Sequence, residues 1–84
     1  MKRIWSEQAW DDYLYWQDTD ERMVQKINEL IKQTRRTPFE GKGKPEPLRH
    51  NLAGFWSRRI TAEQRFVYSV TDGALLIAAC RYHY

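Results

Sequence analysis

The stretch QRFVYSVTDGALLIAA at residues 64–79 decides the fold of this chain. Residues 64–70 and 74–82 are rich in β-branched, aromatic and other apolar side chains, which favours two β-strands. The tripeptide Thr71-Asp72-Gly73 between them is a suitable connection for a β-hairpin. A third β-prone run at residues 55–60 precedes the hairpin. These three runs, separated by short turns, predict a mainly antiparallel sheet.

The register of the hairpin determines which side chains share a face of the sheet. The simplest register pairs Val70 with Ala74 across the turn. Counting back along both strands then places Arg65 opposite Ala79.

Three further residues are placed relative to Arg65 by this register. Arg81 and His83 continue along the face of Arg65 because successive side chains alternate between faces. Arg59 joins that face if it pairs with Arg65 or lies diagonal to it, whereas a shift of one residue turns it to the opposite face. The sequence leaves these two positions of Arg59 open.

The N-terminal half predicts one strand and two helices. Residues 2–5 are suited to a short strand, and Ser6 stands where the N-cap of a helix over residues 7–17 belongs. Asp18, with a glutamate three residues later, resembles a capping box ahead of a second helix over residues 19–35. The short polar break between them predicts an antiparallel helical hairpin.

The complete element order is β-α-α-β-β-β. Thr37-Pro38 ends the second helix because the residue before a proline is biased away from the α conformation. A charged loop rich in glycine and proline then extends to Pro47. This order predicts an α+β fold, with the helical hairpin packed on a mainly antiparallel twisted sheet and the first strand paired with an interior strand. At 84 residues, we expect one domain over residues 1–84.

Composition excludes several classes of protein. One Cys and two His are too few for a disulfide framework or a four-ligand structural zinc site. No apolar run approaches the roughly 20 residues needed to span a bilayer, and the N-terminus lacks the apolar segment of a signal peptide. We therefore expect a soluble cytoplasmic protein with no metal or other cofactor.

The charge is small in sum but unevenly distributed. The net charge of +3 divides into −3 over residues 1–29, with four basic and seven acidic side chains, and +6 over residues 32–65, with nine basic and three acidic ones. This asymmetry favours a partner that is a polyanion, as for a nucleic-acid-binding protein. A basic face that is merely solvated is the alternative.

Five residues of the C-terminal half could carry acid–base chemistry on RNA: Glu46, Arg49, Arg59, Arg65 and His83. Cleavage through the 2′-hydroxyl requires a base for that proton, cations for the pentavalent phosphate and an acid for the leaving 5′-oxygen. One carboxylate, several guanidinium groups and one imidazole would supply these functions without a metal. DNA, which lacks the 2′-hydroxyl, would not be cut.

Substrate-binding candidates flank this set. Lys44 lies in the flexible basic segment of residues 41–44, which is suited to phosphate contacts. Trp56, Tyr82 and Tyr84 are candidates for stacking on bases.

Each candidate also has an ordinary structural interpretation. Glu46 alone could be a solvated surface residue, and the arginines could be polar-face residues of strands. His83 would commonly be a frayed residue next to the terminus. Cys80, on an apolar strand, is expected to be a core residue rather than a nucleophile.

The sequence closely resembles the YoeB toxins of the RelE superfamily. The segments that carry the resemblance are RRTPFEGKGKPEPL at residues 35–48, GFWSRRI at residues 54–60 and the ending ACRYHY at residues 79–84. The N-terminal segments IWS and WDDY also match, so the resemblance covers essentially the whole chain. One departure is Arg49, where a relative among these toxins carries lysine, so that a planar fork replaces a point charge.

This resemblance implies a toxin of a bacterial toxin–antitoxin pair that cuts mRNA in the A site of a translating ribosome. It implies Glu46 as general base and His83 as general acid. Arg59 and Arg65 would stabilise the phosphorane with help from the basic residue at position 49, and Tyr84 would help to place the substrate. The implied partners are a YefM-like antitoxin, the ribosome with bound mRNA and a second copy of the chain, with no membrane involved.

Two alternatives remain open at this stage. ParE toxins of the same superfamily bind DNA gyrase without cleaving RNA, but the coexistence of Glu46, Arg65 and His83 is unnecessary for a protein that only binds. Separately, the acidic helical hairpin is rich in Trp and Tyr and could serve as a surface for self-association.

Overall fold

The protein folds as two helices packed on a five-stranded sheet, and its computed structural model describes residues 1–82. In chain order the elements are β1 (Lys2–Trp5), α1 (Glu7–Thr19), α2 (Glu21–Arg36), β2 (Glu46–Pro47), a 3-10 turn (His50–Leu52), β3 (Trp56–Arg59), β4 (Arg65–Thr71) and β5 (Ala74–Ala79). The strand order is β1-β5-β4-β3-β2. β1 is parallel to β5, and all other neighbours are antiparallel.

This architecture confirms the predicted α+β class. The first strand pairs with β5, which lies inside the sheet. The short strand β2 was not predicted, because its two residues were assigned to the loop. Within residues 1–82 no helix is long and apolar enough to cross a bilayer.

Ser6 joins the first helix to the last strand. Its Oγ accepts a hydrogen bond from the amide of Ala9 at 3.0 Å, which confirms the predicted N-cap. Its hydroxyl also donates to the carbonyl of Ala78 at 2.8 Å. Ala78 lies at a bulge, where the pairing of β5 with β4 shifts by one residue. One side chain therefore caps α1 and satisfies a carbonyl at an irregular point of the sheet.

The second helix begins later than predicted. Asp20, not Asp18, is the N-cap, and its carboxylate accepts from the amide of Arg22 at 3.1 Å. The side chain of Arg22 also hydrogen-bonds this carboxylate, which lowers the pKa of Asp20. The backbone N–H of Asp20 donates to the carbonyl of Trp16 at 2.8 Å, so a single residue ends α1 and starts α2.

The core lies between α2 and the central strands. α2 buries a stripe at helical spacing: Met23, Val24, Ile27, Leu30, Ile31 and Thr34. Opposite this stripe, Phe66 and Tyr68 of β4 and Leu75 and Ile77 of β5 are fully buried. The sequence spacing of Met23, Val24, Ile27, Leu30 and Ile31 predicts one apolar stripe on this helix, and the structure confirms it.

The predicted hairpin register is wrong by one residue at the turn. Thr71, not Val70, pairs with Ala74. Asp72 and Gly73 alone form the turn, with φ of 49° and 73°. Two central residues with positive φ match the type I′ turn, whose twist suits the flanking strands.

A buried arginine holds the loop between α2 and β2. Arg58 on β3 is fully buried, and its Nε donates to the hydroxyl of Tyr68 at 3.2 Å. Its other nitrogens donate to the loop carbonyls of Thr37, Glu40 and Lys42. Burial raises the pKa of Tyr68, an effect that the adjacent guanidinium opposes, and the hydroxyl donates to the carbonyl of Pro38 at 2.6 Å. The loop is thus fixed by side chains beneath it rather than by regular structure of its own.

Gly43 lets this loop lie directly against β3. The amide of Arg59 donates to the carbonyl of Gly43 at 2.7 Å, and Gly43 has a φ of +83°. A Cβ at this position would lie 3.0 Å from the carbonyl oxygen of Arg59, 3.1 Å from Cβ of Arg58 and 3.1 Å from a methyl of Leu30. Both the conformation and the space require glycine.

We predict that Gly43→Ala lowers the free energy of unfolding by about 3 kcal/mol, because it combines left-handed strain with overpacking. Gly73→Ala is the matched control, since Gly73 has a φ of +73° but nothing within 4 Å of its added Cβ. The control should lose only about 1 kcal/mol. Urea denaturation of both variants measures the difference, and equal losses would contradict the close approach at Gly43.

Candidate functional site

The face of the sheet that points away from the helices carries a row of four residues from four strands. Glu46 pairs with Ser57, Ser57 with Val67, and Val67 with Ala79. Directly opposed residues point to the same side of a sheet, and the alternate residues of these strands belong to the core under the helices. Ser57, Val67 and Ala79 are buried and form a floor, whereas Glu46 at the end of the row is exposed.

Arg59 and Arg65 form the adjacent row. The two residues are directly paired between β3 and β4, which settles the position of Arg59 that the sequence left open. Arg59 follows Ser57 by two residues and shares its face, so Glu46 and Arg59 are diagonal neighbours with Cα atoms roughly 7–8 Å apart. The fold therefore brings one carboxylate and two guanidinium groups to the same face.

The two arginines differ in their surroundings. Arg59 is exposed, whereas Arg65 is only 9% exposed. Nη1 of Arg65 donates to the carbonyls of Thr61 at 2.8 Å and Ala62 at 2.7 Å, with a longer contact to Gln64 at 3.4 Å. All hydrogen bonds of this guanidinium to residues 1–82 use Nη1. Arg65 is oriented by the β3–β4 turn, while its Nε and Nη2 make no hydrogen bond within this part of the chain.

The predicted pairing of Arg65 with Ala79 is wrong. Ala79 lies opposite Val67, and β5 ends at this residue, so Arg81 lies beyond the paired strand. The guanidinium of Arg81 lies 3.4 Å from the ring centroid of Tyr15 on α1. The predicted site residues His83 and Tyr84 lie outside the described residues.

Helix α1 holds the chain where β5 ends. Asp12 is buried, and its carboxylate accepts from the amide of Cys80 at 3.0 Å and from the side chain of Gln8 at 2.8 Å. The indole of Trp16 donates to the carbonyl of Cys80 at 2.9 Å. The thiol contacts the carbonyl of Ala9 at 3.5 Å. Cys80 is thus anchored through both backbone groups and its sulfur, as a structural residue.

The predicted substrate-binding residues occupy different surroundings. Lys44 and Arg49 are exposed on either side of β2, with Lys44 in a left-handed conformation at a φ of 50°. Trp56 instead packs against the core on the helix side of the sheet, and its ring lies 4.7 Å from that of Phe39. Because Trp56 and Glu46 point to opposite faces, we do not retain Trp56 as a substrate-binding residue. Tyr82 is exposed.

A second basic surface lies elsewhere on the molecule. A groove beside β1 is lined by cations from β1 and the end of α2, together with aromatic rings: Arg3, Lys32, Arg35, Arg36, Trp5, Trp10 and Tyr13. Trp10 stacks on Tyr13 with the centroids 5.8 Å apart. The basic segment of residues 32–65 therefore does not form one face, because its cations divide between this groove, the open face of the sheet and the buried site of Arg58.

Within residues 1–82, no group of three or more His, Cys, Asp or Glu side chains is arranged to hold a metal ion. Sequence patterns missed two residues, Ser57 on the open face and Gln64 at its edge. Alternation along β3 predicts that Ser57 shares the face of Arg59. Oε1 of Gln64 accepts a hydrogen bond from the amide of Tyr82, a contact that no local sequence pattern indicates.

Comparison with known proteins assigns this chain to a family of toxins. The family model described as "YoeB-like toxin of bacterial type II toxin-antitoxin system" matches residues 5–84, and the chain belongs to this family of toxins. Among curated relatives, the toxin YoeB of Escherichia coli K12 is 81% identical over the full length of both chains. Two solved structures from Staphylococcus aureus also match all of this chain and 98% of theirs. They are a YoeB dimer with a TM-score of 0.93 and 50% identity, and a YoeB–YefM complex with a TM-score of 0.92 and 49% identity.

We predict that Cys80 resists thiol reagents in the folded protein. Burial, together with the nearby Asp12 carboxylate, raises the pKa of Cys80 to about 12. At pH 8 its thiolate fraction should be about a thousandfold below that of the unfolded chain. Because the unfolded chain releases this proton first, the thiol also lowers the free energy of unfolding as the pH rises from about 9 to about 12.

Iodoacetamide labelling followed by mass spectrometry, with and without urea, tests this reactivity. Slow labelling in buffer and fast labelling in urea are expected. Equally rapid labelling in both would show that Cys80 is not held as described.

Proposed function

We propose that this protein is a metal-independent endoribonuclease that cleaves mRNA in the A site of the translating ribosome and thereby arrests translation. The observation that supports the proposal is the placement of Glu46, Arg59 and Arg65 on one open face of the sheet. The family supports the wider role as the toxin of a type II toxin–antitoxin system.

The proposed reaction begins with the 2′-hydroxyl of the nucleotide before the scissile bond. Glu46 takes the proton of this hydroxyl, and O2′ forms a bond to the phosphorus. The P–O5′ bond then breaks, and His83 protonates the leaving 5′-oxygen. The products are a 2′,3′-cyclic phosphate and a free 5′-hydroxyl. Atoms and charge balance without a further reactant.

The two arginines would act on the phosphate rather than on the proton. Arg59 is exposed and diagonal to Glu46, so its fork can reach the oxygens of a phosphate that sits beside the carboxylate. Nη1 of Arg65 is held by carbonyls of the turn, which orients the remaining edge of the guanidinium. Donors fixed before the reaction stabilise the developing negative charge without reorganisation. Exposed Lys44 and Arg49 would bind the flanking phosphates.

The described chain end is compatible with an acid at position 83. The amide of Arg65 donates to the carbonyl of Tyr82 at 2.9 Å. This hydrogen bond holds Tyr82, the last described residue, beside Arg65. We propose the imidazole of His83 as the general acid and Tyr84 as a substrate-positioning residue.

The proposed partners follow from the relatives. A YoeB–YefM complex and a YoeB dimer are known from Staphylococcus aureus, and we propose a YefM-like antitoxin and a homodimer for this protein as well. A role on the ribosome places its action in the cytoplasm. The net charge of +3 suits an RNA partner.

We predict that Glu46→Gln lowers the rate of mRNA cleavage at least about a hundredfold, because the amide cannot accept the 2′-hydroxyl proton. Glu29→Gln is the matched control, since Glu29 is an exposed residue of α2. Primer extension on a defined mRNA in a purified translation system, with and without ribosomes, measures the cuts. Wild type and control should cut only when ribosomes are present.

Equal cutting by wild type and Glu46→Gln would remove Glu46 from the mechanism. Absence of cuts in every lane, together with inhibition of DNA gyrase in a supercoiling assay, would contradict the proposal. It would favour the alternative of a ParE-like toxin that binds gyrase without cleaving RNA.

A further inference from the structure

The residue that precedes the proposed general acid has a strained backbone. Tyr82 has a φ of +70°, in the left-handed region that aromatic residues rarely adopt. Such a conformation persists only where surrounding contacts impose it, and it is found preferentially at functional sites. The contacts of Tyr82 therefore identify what holds it there.

Both backbone polar groups of Tyr82 are held by the start of β4. The amide of Tyr82 donates to Oε1 of Gln64, and the carbonyl of Tyr82 accepts from the amide of Arg65 at 2.9 Å. The hydrogen bond between Arg65 and Tyr82 joins two backbone groups, so it does not depend on a particular side chain. The other depends on the side chain of Gln64.

Gln64 is itself immobilised in the turn between β3 and β4. The backbone amide of Gln64 donates to Oγ1 of Thr61 at 3.1 Å, and its backbone carbonyl accepts from the backbone amide of Ile60 at 2.9 Å. Arg65 also reaches this turn through its guanidinium, with hydrogen bonds to the carbonyls of Thr61 and Ala62. The acceptor offered to Tyr82 is thus attached to the same rigid turn that orients Arg65.

We infer that Gln64 is a positioning residue for the proposed cleavage reaction: its side chain fixes the backbone of Tyr82, the residue directly before the proposed general acid, on the same turn that orients Arg65. This inference rests on the proposed function. Gln64 touches neither the substrate nor the transferred proton; it acts through the backbone of Tyr82. A displacement of about 1 Å at a reacting group can lower a rate about a hundredfold, so one hydrogen bond here has a measurable effect.

Two substitutions separate this function from simple stabilisation. Gln64→Leu keeps much of the side-chain volume and removes the acceptor, whereas Gln64→Glu retains an oxygen at the position of Oε1. We expect Gln64→Leu to lower kcat for ribosome-dependent cleavage at least about tenfold with KM unchanged. Gln64→Glu should retain most of the wild-type kcat, and both variants should melt within about 2 °C of the wild type.

Hydrogen exchange at the amide of Tyr82, followed by NMR on the isolated protein, reports the contact without any cleavage. Protection is expected in the wild type and in Gln64→Glu, with faster exchange in Gln64→Leu. A wild-type kcat in Gln64→Leu, or a parallel loss of kcat and melting temperature in both variants, would overturn the inference. A wild type that cuts no mRNA refutes the proposed function, whereas an unprotected Tyr82 amide in the wild type refutes the contact by itself.

Discussion

The buried guanidinium of Arg58 is the interaction on which the candidate site depends. Removing this cation from water costs several kcal/mol, and within residues 1–82 its partners are carbonyl groups and the hydroxyl of Tyr68 rather than a carboxylate. Those carbonyls all belong to the loop that leads to β2, so satisfying the charge also fixes the loop. A strand alternates its side chains, and Arg58 on the core side therefore requires Arg59 on the open side. Burial of Arg58 therefore has two consequences. It fixes the loop that leads to Glu46 on β2, and it turns Arg59 toward the open face.

The other end of the chain is fixed by independent contacts. α1 anchors Cys80 through Asp12 and Trp16, and the β3–β4 turn then receives Tyr82. The last described residues are therefore held by two elements that are far apart in sequence.

Sequence periodicity predicted most of the architecture, because each of its signals is local. The Ser6 cap and the apolar stripe of α2 depend on spacings of three and four residues, which can be read directly. The start of α2 was missed because Asp18 and Asp20 are both suitable caps, and local preference does not choose between them. The strand register was missed for two reasons. The turn contains two residues rather than three, and a bulge at Ala78 adds a further residue, which cannot be seen in either strand alone.

The sequence predicted only some residues of the candidate site. Glu46, Arg59 and Arg65 were recognised by residue type, and pairing in the structure brings them to one face. Arg81 could not be placed, since its contact with Tyr15 depends on how α1 packs against the end of β5. Trp56 was assigned to the substrate by residue type, although the alternation with Arg59 already puts it on the other face. Strand alternation therefore excludes Trp56 from the open face, whereas the position of Arg81 depends on long-range packing.

The proposed cleavage of RNA depends on attack by the 2′-hydroxyl of the substrate at this face of the sheet. The most direct test is an mRNA that carries a single 2′-deoxynucleotide immediately before the cut found in the all-ribose message, programmed on ribosomes with that codon in the A site. We expect the wild-type protein to leave this bond intact and the ribose control to yield a 2′,3′-cyclic phosphate end. Cleavage of the deoxy-substituted bond at the control rate would show that the 2′-hydroxyl is not the nucleophile.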